Sequence, residues 1–313
     1  MEKLKKIATR DSYGKALAAL GAVHEDIVVL DADLSGATKT SIFKKVFPDR
    51  HYNCGIAEAD MMCVAAGLST TGLVPFASSF AMFTAGRAFE QIRNSIGYPH
   101  LNVKIGATHG GVSVGEDGAS HQCCEDFALM RSIPGMVVMS PSDDVEARAM
   151  VKAAYEHQGP VYMRFGRSAI PVIHQENFEF RIGRGEILRD GSDVAIIANG
   201  LMVYEALVAA QTLEADGISA MVINMATIKP LDQDLIIHAA QKCGKIISCE
   251  EHSIIGGLGE AITSLLAKKI PTRVECIGVN DEFGSSGSAG DLLQRFGLCS
   301  AHIEEVAQSL CGR

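Results

Sequence analysis

The sequence predicts an α/β protein with two successive parallel sheets, each covered by helices. The chain has 313 residues, of which 47% are hydrophobic and 21% charged, so it is long enough to bury two cores. Apolar runs of strand length alternate with segments of helical periodicity, which is typical of parallel sheets with helices on their faces. A stretch of mixed charge at residues 168–191 divides this alternation into two series.

The first series predicts one domain over residues 1–170. Its apolar runs predict strands at residues 26–31, 73–77, 101–107, 136–140 and 160–165, with helices between successive strands. A short helix is expected at residues 124–131. Residues 171–190 contain Pro171 and several glycines without sustained periodicity, so they are expected to form a linker.

The second series predicts another domain over residues 191–313. The same reasoning gives strands at residues 193–198, 219–224, 245–249 and 273–279, and helices at residues 201–215, 232–242 and 257–268. Two such modules in succession, each alternating strand and helix, predict two sheets in the chain.

Composition and charge argue against several classes of protein. A formal net charge of −9, with basic residues scattered along the chain, argues against a nucleic-acid partner or an anionic membrane surface. Nine cysteines at irregular spacings, without a C-x-x-C pair, indicate reduced thiols in the cytoplasm and no metal site. The amino terminus lacks a signal-peptide pattern, and no uncharged run approaches the roughly 18 residues of a membrane span.

Glu58 is the first candidate functional residue. The apolar residues Met61, Ala65 and Leu68 follow helical spacing, and Glu58 lies on the same stripe. It is therefore expected to face the core from the first helical turn, where the helix dipole favours an anion. A buried carboxylate needs a partner. The pattern alone leaves open a structural ion pair or a functional carboxylate.

The segment Gly115-Glu-Asp-Gly-Ala-Ser-His121-Gln122 is expected to be an active-site loop. It follows the strand at residues 101–107 and combines two carboxylates, a histidine and glycines that permit unusual backbone angles. Open α/β sheets bind their ligands in loops at the carboxyl ends of strands. Taken singly, the histidine could equally be structural.

Three motifs together resemble the transketolase family: Gly55-Ile-Ala-Glu58-Ala, Ser79-Phe80-Ala-Met-Phe83 and the loop at residues 115–122. The resemblance covers essentially the whole chain and implies a pyrimidine-binding domain followed by the carboxy-terminal domain of a thiamine-diphosphate enzyme. The family's amino-terminal domain holds the diphosphate and Mg²⁺ with a Gly-Asp-Gly motif, which this chain lacks. The chain thus resembles one subunit of a split transketolase, with thiamine diphosphate as cofactor and Mg²⁺ bound mainly by a partner.

The resemblance implies cofactor contacts and catalytic roles. Glu58 would hydrogen-bond the aminopyrimidine ring of the cofactor, and Phe80 and Phe83 would pack against that ring, although ordinary core packing would also explain both aromatics. His109 and His121 would line the substrate channel and exchange protons with substrate hydroxyls.

Further positions are matched at the substrate end of the site. Asp117, with His121, would contact hydroxyls of the donor sugar. Arg10 and Arg164 resemble phosphate-contacting positions, but a guanidinium suits a carboxylate or a sulfonate equally, and a salt bridge would also explain either arginine. Asp33 resembles an acidic position near the cofactor and the dimer interface.

The expected reaction is transfer of a two-carbon ketol unit from a ketose phosphate, or a similar anionic ketose, to an aldose. The resemblance implies activity only with an amino-terminal partner subunit, in a dimer of such pairs. Alternatives are a 1-deoxyxylulose-5-phosphate synthase-like enzyme, a 2-oxo acid dehydrogenase β-subunit-like enzyme and a non-catalytic scaffold subunit. The loop motif favours the sugar enzymes over the 2-oxo acid group, the length of the separate subunit favours transketolase over the synthase, and Glu58 argues against the scaffold.

Overall fold

The computed structural model describes residues 4–313. This part of the chain contains fourteen β-strands and twelve α-helices. The strands are β1 (Lys6–Ala8), β2 (Ile27–Asp31), β3 (His51–Asn53), β4 (Val74–Phe80), β5 (Lys104–Thr108), β6 (Val137–Met139), β7 (Val161–Phe165), β8 (Ala169–Pro171), β9 (Glu186–Arg189), β10 (Val194–Ala198), β11 (Ala220–Asn224), β12 (Thr227–Lys229), β13 (Lys245–Ser253) and β14 (Arg273–Val279). The helices are α1 (Thr9–Gly21), α2 (Ser35–Thr38), α3 (Ser41–Val46), α4 (Glu58–Ser69), α5 (Phe89–Gln91), α6 (Asp126–Ser132), α7 (Asp144–Glu156), α8 (Met202–Ala215), α9 (Gln233–Cys243), α10 (Leu258–Lys269), α11 (Ala289–Arg295) and α12 (Ser300–Cys311).

A seven-stranded sheet forms the first domain, with strand order β12-β6-β7-β5-β4-β2-β3. Its strands run parallel except for β12, which pairs antiparallel with β6 at the edge. Strands β2, β4, β5 and β7 are buried along their whole length, because α1 and α7 cover one face and α4 and α6 the other. The apolar runs of the sequence are these doubly covered strands.

A five-stranded sheet forms the second domain, with strand order β14-β13-β10-β11-β9. Helices α8 and α12 pack on one face, and α9 and α10 pack on the other. Strand β9 runs antiparallel to β11 at the edge, and the other strands run parallel. The chain enters α9 at Asp232, whose carboxylate caps the helix by accepting from the Leu235 amide, and leaves it at Gly244 in the left-handed conformation.

The predicted α/β class with two sheets is confirmed, and each predicted strand is present within a few residues of its expected ends. Both sheets are mainly parallel, and only their edge strands β12 and β9 run antiparallel to a neighbour. The sequence did not predict β1, β3, β8, β9 or β12. These strands have three or four residues, so pairing with neighbours rather than a local pattern determines them.

The segment predicted as a linker, residues 171–190, contains regular structure. Strand β8 ends within it and pairs antiparallel with β1, and β9 lies inside it and joins the second sheet.

Among residues 4–313, no helix has both the length and the apolar character that crossing a bilayer requires.

A buried ion cluster joins the two domains at His174. Its Nδ1 lies 3.0 Å from Asp143 Oδ2 in the first domain, and its Nε2 lies 3.0 Å from Glu186 Oε2 in β9. Burial alone would lower the pKa of His174, but the interactions with Asp143 and Glu186 outweigh it and raise this pKa to about 10. The imidazole is therefore charged at neutral pH, between two carboxylates.

We expect His174 to make the stability of the chain depend on pH. Because its pKa rises on folding from 6.5 to about 10, its contribution is complete below pH 6.5 and is lost as pH rises through 10. His174→Gln should lower the free energy of unfolding by about 3 kcal/mol at neutral pH and by much less above the folded pKa. Urea unfolding of both proteins across this range measures the difference. The exposed pair His302 and Glu305 provides the control variant His302→Gln, and a difference that stays constant with pH would contradict the assignment.

Candidate active site

The candidate site lies at the carboxyl ends of neighbouring parallel strands. Phe80 ends β4, His109 directly follows β5, and Asp33 lies two residues after β2. These strands are adjacent in the order β5-β4-β2, so their carboxyl ends meet at one edge of the sheet. The helix α4, which begins with Glu58, packs beside β4 at this edge.

Glu58 is the first residue of α4, and only 1% of its surface is exposed. Its Oε2 accepts a hydrogen bond of 2.9 Å from Arg87 Nη1, and its Oε1 lies 3.5 Å from the Ser79 hydroxyl. The first contact is a charge-assisted hydrogen bond and the second is at the outer limit of hydrogen bonding. One carboxylate oxygen is therefore firmly held, while the other is free to accept a stronger donor.

Two stacked aromatic rings lie next to this carboxylate. The ring centroids of Phe80 and Phe83 are 5.7 Å apart with an interplanar angle of 13°. The Arg87 guanidinium lies 4.6 Å from the Phe83 centroid, so the same arginine touches both Glu58 and the aromatic pair. Phe83 and Arg87 belong to a π-helical segment, Met82–Arg87, a geometry often found at functional sites.

His109 continues the cluster on the other side of Phe80. Its ring stacks on Phe80 at 3.8 Å, its Nε2 lies 3.1 Å from Arg10 Nη1 and its Nδ1 lies 2.8 Å from the Thr108 hydroxyl. Arginine only donates, so Nε2 accepts and Nδ1 carries the hydrogen. The backbone of His109 has a φ of 59°, a strained conformation for a residue with a side chain.

The pKa of His109 is lowered to about 3, first by burial and then by the positive charges of Arg10 and Arg167. The imidazole is therefore neutral at physiological pH. At this pH the neutral ring can accept a hydrogen bond at one nitrogen and donate one at the other, but it cannot act as an imidazolium acid. This refines the proton-exchange role that the resemblance implies for His109.

The loop at residues 115–122 places His121 over the aromatic pair. The His121 ring meets Phe83 edge-on at 5.3 Å and Phe80 at 6.3 Å, and its Nδ1 lies 3.0 Å from the Ser120 hydroxyl. Asp117 is exposed in the same loop. His121 is thus part of the cluster by direct ring contact, whereas Asp117 lies at its open side.

The arginines matched by resemblance differ in their surroundings. Arg10, in the first turn of α1, donates to the Ala37 carbonyl and touches His109. Arg164 is 5% exposed; its Nε lies 3.2 Å from Asp126 Oδ2, and its Nη2 donates to the carbonyls of Cys123 and Glu251. These protein partners hold the Arg164 guanidinium in the interior, and its contact with substrate stays a prediction.

Asp33 belongs to a polar bridge at the rim of the site. Its amide donates to Asn53 Oδ1 at 3.0 Å, and Asn53 Nδ2 donates to Asp33 Oδ1 at 3.1 Å. Asn53 Oδ1 also accepts from the Gly55 amide, so the bridge fixes the turn that leads into α4. Asp33 has a φ of 63°, which asparagine and aspartate tolerate better than other residues.

Sequence reasoning missed Arg87 and Arg167. A buried carboxylate at Glu58 requires a cation, and Arg87 stands four residues after Phe83, so the signal was present. Arg167 lies just beyond β7 and is partly exposed. Burial lowers the pKa of Arg10, and the positive charge of the nearby Arg167 lowers it further. Because β7 is covered on both faces, Arg167 beyond its end is more exposed than Arg164 inside it.

The described residues contain no group of three or more His, Cys, Asp or Glu side chains that could hold a metal ion.

The sequence matches the family model "Transketolase, pyrimidine binding domain" over residues 5–172 and "Transketolase, C-terminal domain" over residues 183–303. A solved structure described as "Split gene transketolase, inactive beta4 tetramer" has a TM-score of 0.92 and 52% sequence identity, covering 98% of this chain and 99% of that chain.

Two relatives match over nearly their whole length. The 6-deoxy-6-sulfo-D-fructose transketolase subunit SqwH of Clostridium sp. (strain MSTE9) is 39% identical over 99% of this chain and 97% of its own. An apulose-4-phosphate transketolase subunit of Phocaeicola vulgatus is 38% identical over 96% of each chain. With both family domains matched in order and these relatives aligned almost completely, the chain belongs to the transketolase family, of which it carries the pyrimidine-binding and carboxy-terminal domains.

Proposed function

We propose that this chain is the carboxy-terminal subunit of a two-component transketolase, which moves a two-carbon ketol unit from an anionic ketose to an aldose. One observation carries the proposal. The Glu58 carboxylate is buried and shares its partner Arg87 with the stacked pair of Phe80 and Phe83, while one of its oxygens lacks a strong donor. A buried anion with spare hydrogen-bonding capacity beside aromatic rings suits a flat, nitrogen-containing ring.

Membership in the family implies dependence on thiamine diphosphate, and the residues present fit that group. Bound thiamine diphosphate supplies the electron sink that ketol transfer requires. Glu58 would hold a proton at the ring nitrogen of the aminopyrimidine, and Phe80 and Phe83 would pack against its faces. Ser79 is positioned to keep the free carboxylate oxygen oriented until that contact forms.

His121 and His109 would handle the donor sugar. His121 lies over the aromatic pair with its Nδ1 near Ser120, so its other nitrogen is available to a substrate hydroxyl. His109 is neutral, and its contacts with Arg10 and Thr108 fix its tautomer, so it would orient a hydroxyl or carbonyl oxygen. Asp117, at the exposed side of the loop, would accept from sugar hydroxyls.

Arg10 and Arg167 would bind the terminal anion of the ketose, with Arg167 taking the role that the resemblance gave to Arg164. Arg10 Nη1 lies 3.1 Å from His109 Nε2, and the charges of both guanidinium groups lower the pKa of His109 after burial, which supports a shared position near this residue. A guanidinium fork suits phosphate and sulfonate alike. The two relatives described above are named for a sulfosugar and for a sugar phosphate, which supports an anionic ketose without choosing between them.

A partner subunit would complete the site and bring the diphosphate and Mg²⁺ ligands, in a dimer of such pairs. The segment leading into α4 supports this, since Ile56 is 78% exposed and Tyr52 is 43% exposed beside the buried Glu58. Large apolar side chains at the rim of a site indicate a protein contact.

All nine cysteines are free thiols, which is compatible with the proposed cytoplasmic location.

We expect Arg167→Met and Arg10→Met each to raise the KM for an anionic ketose by about 10-fold to 100-fold, because each removes a charge-assisted hydrogen bond. The same ketose without its phosphate or sulfonate should lose little affinity on either substitution. Steady-state kinetics with the matched pair of ketoses measures the difference. Arg181→Met, which changes an arginine that is 75% exposed in the connecting segment, is the control. Equal losses for charged and uncharged ketoses would contradict the assignment.

The proposed function is tested by producing this chain together with an amino-terminal subunit that carries a Gly-Asp-Gly motif. The purified complex is assayed with thiamine diphosphate, Mg²⁺, an aldose acceptor and a panel of ketose phosphates and ketose sulfonates. Aldose-dependent cleavage of a ketose supports the proposal. Turnover of pyruvate with an aldehyde would indicate the synthase reaction. Turnover of branched or linear 2-oxo acids would indicate the dehydrogenase reaction. A complex that binds no cofactor would indicate a scaffold role.

A further inference from the structure

The segment from Gly111 to Cys123 forms a closed loop that carries His121 and Asp117. Its ends are joined by a hydrogen bond of 2.7 Å from the Gly111 amide to the Cys123 carbonyl. Within it, Gly111, Gly115 and Gly118 all have positive φ values. A backbone with so many left-handed residues keeps one conformation only if its surroundings determine it.

Gln122 ties the inside of this loop together. It is 4% exposed, and its Nε2 lies 3.2 Å from the carbonyls of Val112 and Gly115 and 2.8 Å from the carbonyl of Ser285. All three neighbours are acceptors, so the amide orientation is fixed by the network. The shortest of these contacts leaves the loop and reaches the second domain.

The second domain fits closely against the same loop. A Cβ atom at Gly284 would lie 1.7 Å from Gln122 Oε1, and a Cβ atom at Gly118 would lie 2.6 Å from the Ser286 hydroxyl. From β13, Glu251 Oε1 accepts a hydrogen bond of 2.6 Å from the Ser113 amide. Residues 284–286 and Glu251 thus support the loop from the second domain.

We propose that Gln122 is a positioning residue that couples residues 284–286 of the carboxy-terminal domain to the placement of His121. The carboxy-terminal domain then contributes to substrate handling although none of its side chains belongs to the site. His121 is the residue directly before Gln122, so a displaced Gln122 side chain moves the ring that contacts Phe83. The inference rests on the proposed function, since it concerns the donor contacts of His121.

Gly284→Ala tests the coupling from the second domain. The added methyl group collides only with the flexible end of Gln122, so it should displace that side chain and leave the fold intact. In the assembled enzyme we expect kcat/KM for the donor to fall by about 10-fold, as a misplaced reactive group costs roughly that order or more. The affinity for thiamine diphosphate should stay unchanged, and the lost hydrogen bonds of Gln122 should lower the melting temperature by only a few degrees. Gly290→Ala, in α11 with open space at its Cβ position, is the matched control and should have no effect.

A second variant distinguishes coupling from a general packing defect. Gln122→Ala removes the group that Gly284→Ala displaces, so the two substitutions together should cost about as much as the larger one alone. Additive losses, or a parallel loss of cofactor affinity, would overturn the proposal.

A measurement on the subunit itself separates this inference from the proposed function. Hydrogen exchange of the amides in residues 111–123 should be faster in Gly284→Ala than in the unmodified chain, and unchanged in Gly290→Ala. If the unmodified assembly transfers no ketol unit, the proposed function fails, and the exchange result alone decides the coupling. Unchanged exchange together with unchanged kinetics would overturn it.

Discussion

Glu58→Gln in the assembled enzyme should lower kcat for ketol transfer by about 10²-fold to 10⁴-fold, which is the usual contribution of a positioned acid or base. The substituted side chain has the same shape and can still accept the hydrogen bond from Arg87, so folding should be preserved. It cannot hold an exchangeable proton at the ring nitrogen of the cofactor. The loss should therefore appear in kcat, with the substrate KM little changed.

The measurement requires the complex with its partner, saturating cofactor and circular dichroism to confirm folding. Glu214→Gln is a suitable control, because Glu214 is 69% exposed in α8 and pairs with Arg189 at the surface of the second domain. The control should retain full activity. Retention of full activity by Glu58→Gln would rule out the proposed role of this carboxylate.

Arg164→Met should destabilise the chain by about 3–5 kcal/mol, because removing one partner of a buried ion pair leaves its counter-charge unpaired. Arg164 is buried between the domains, where its Nε faces Asp126 and its Nη2 bonds the Glu251 carbonyl. Nearby carboxylates keep its pKa above the usual arginine value even though burial opposes this. Its guanidinium also covers the Phe127 ring at 4.6 Å, so packing is lost as well.

Urea unfolding of the isolated chain measures this effect, and Arg167→Met is the matched comparison. Arg167 keeps 35% of its side chain exposed and pairs with the exposed Glu116, so its loss should change stability by less than about 1 kcal/mol. The two arginines, three residues apart, are thus expected to affect different properties: stability for Arg164 and the KM of anionic ketoses for Arg167. A stable Arg164→Met variant with a raised KM would restore Arg164 as a substrate contact.

The core strands could be predicted from sequence because they are covered on both faces. A strand such as Val194–Ala198 is apolar along its whole length, and this leaves an unambiguous run in the sequence. The position of Glu58 could be predicted for a similar reason, since its helix has an apolar stripe that fixes which face is buried. In both cases burial acts on consecutive or regularly spaced residues.

The remaining features depend on contacts between distant parts of the chain. Strand β12 forms because Thr227–Lys229 meets the edge of β6, and nothing in three residues signals that encounter. Arg164 was expected at the site because it resembles a phosphate-contacting position of the family. Whether a guanidinium meets substrate or Asp126 depends on which residues of other segments lie opposite, and the local sequence does not contain this information.

Strand β12 has a consequence for how such proteins can be rearranged. Although it follows β11 of the second domain, it supplies the outermost strand of the first domain's sheet. A fragment ending before residue 191 would therefore expose the backbone groups of β6 along an unprotected edge, and such edges recruit other chains and aggregate. During recombination between genes, a foreign carboxy-terminal domain would need a matching edge strand of its own. The two domains are thus more easily inherited as one unit than exchanged separately.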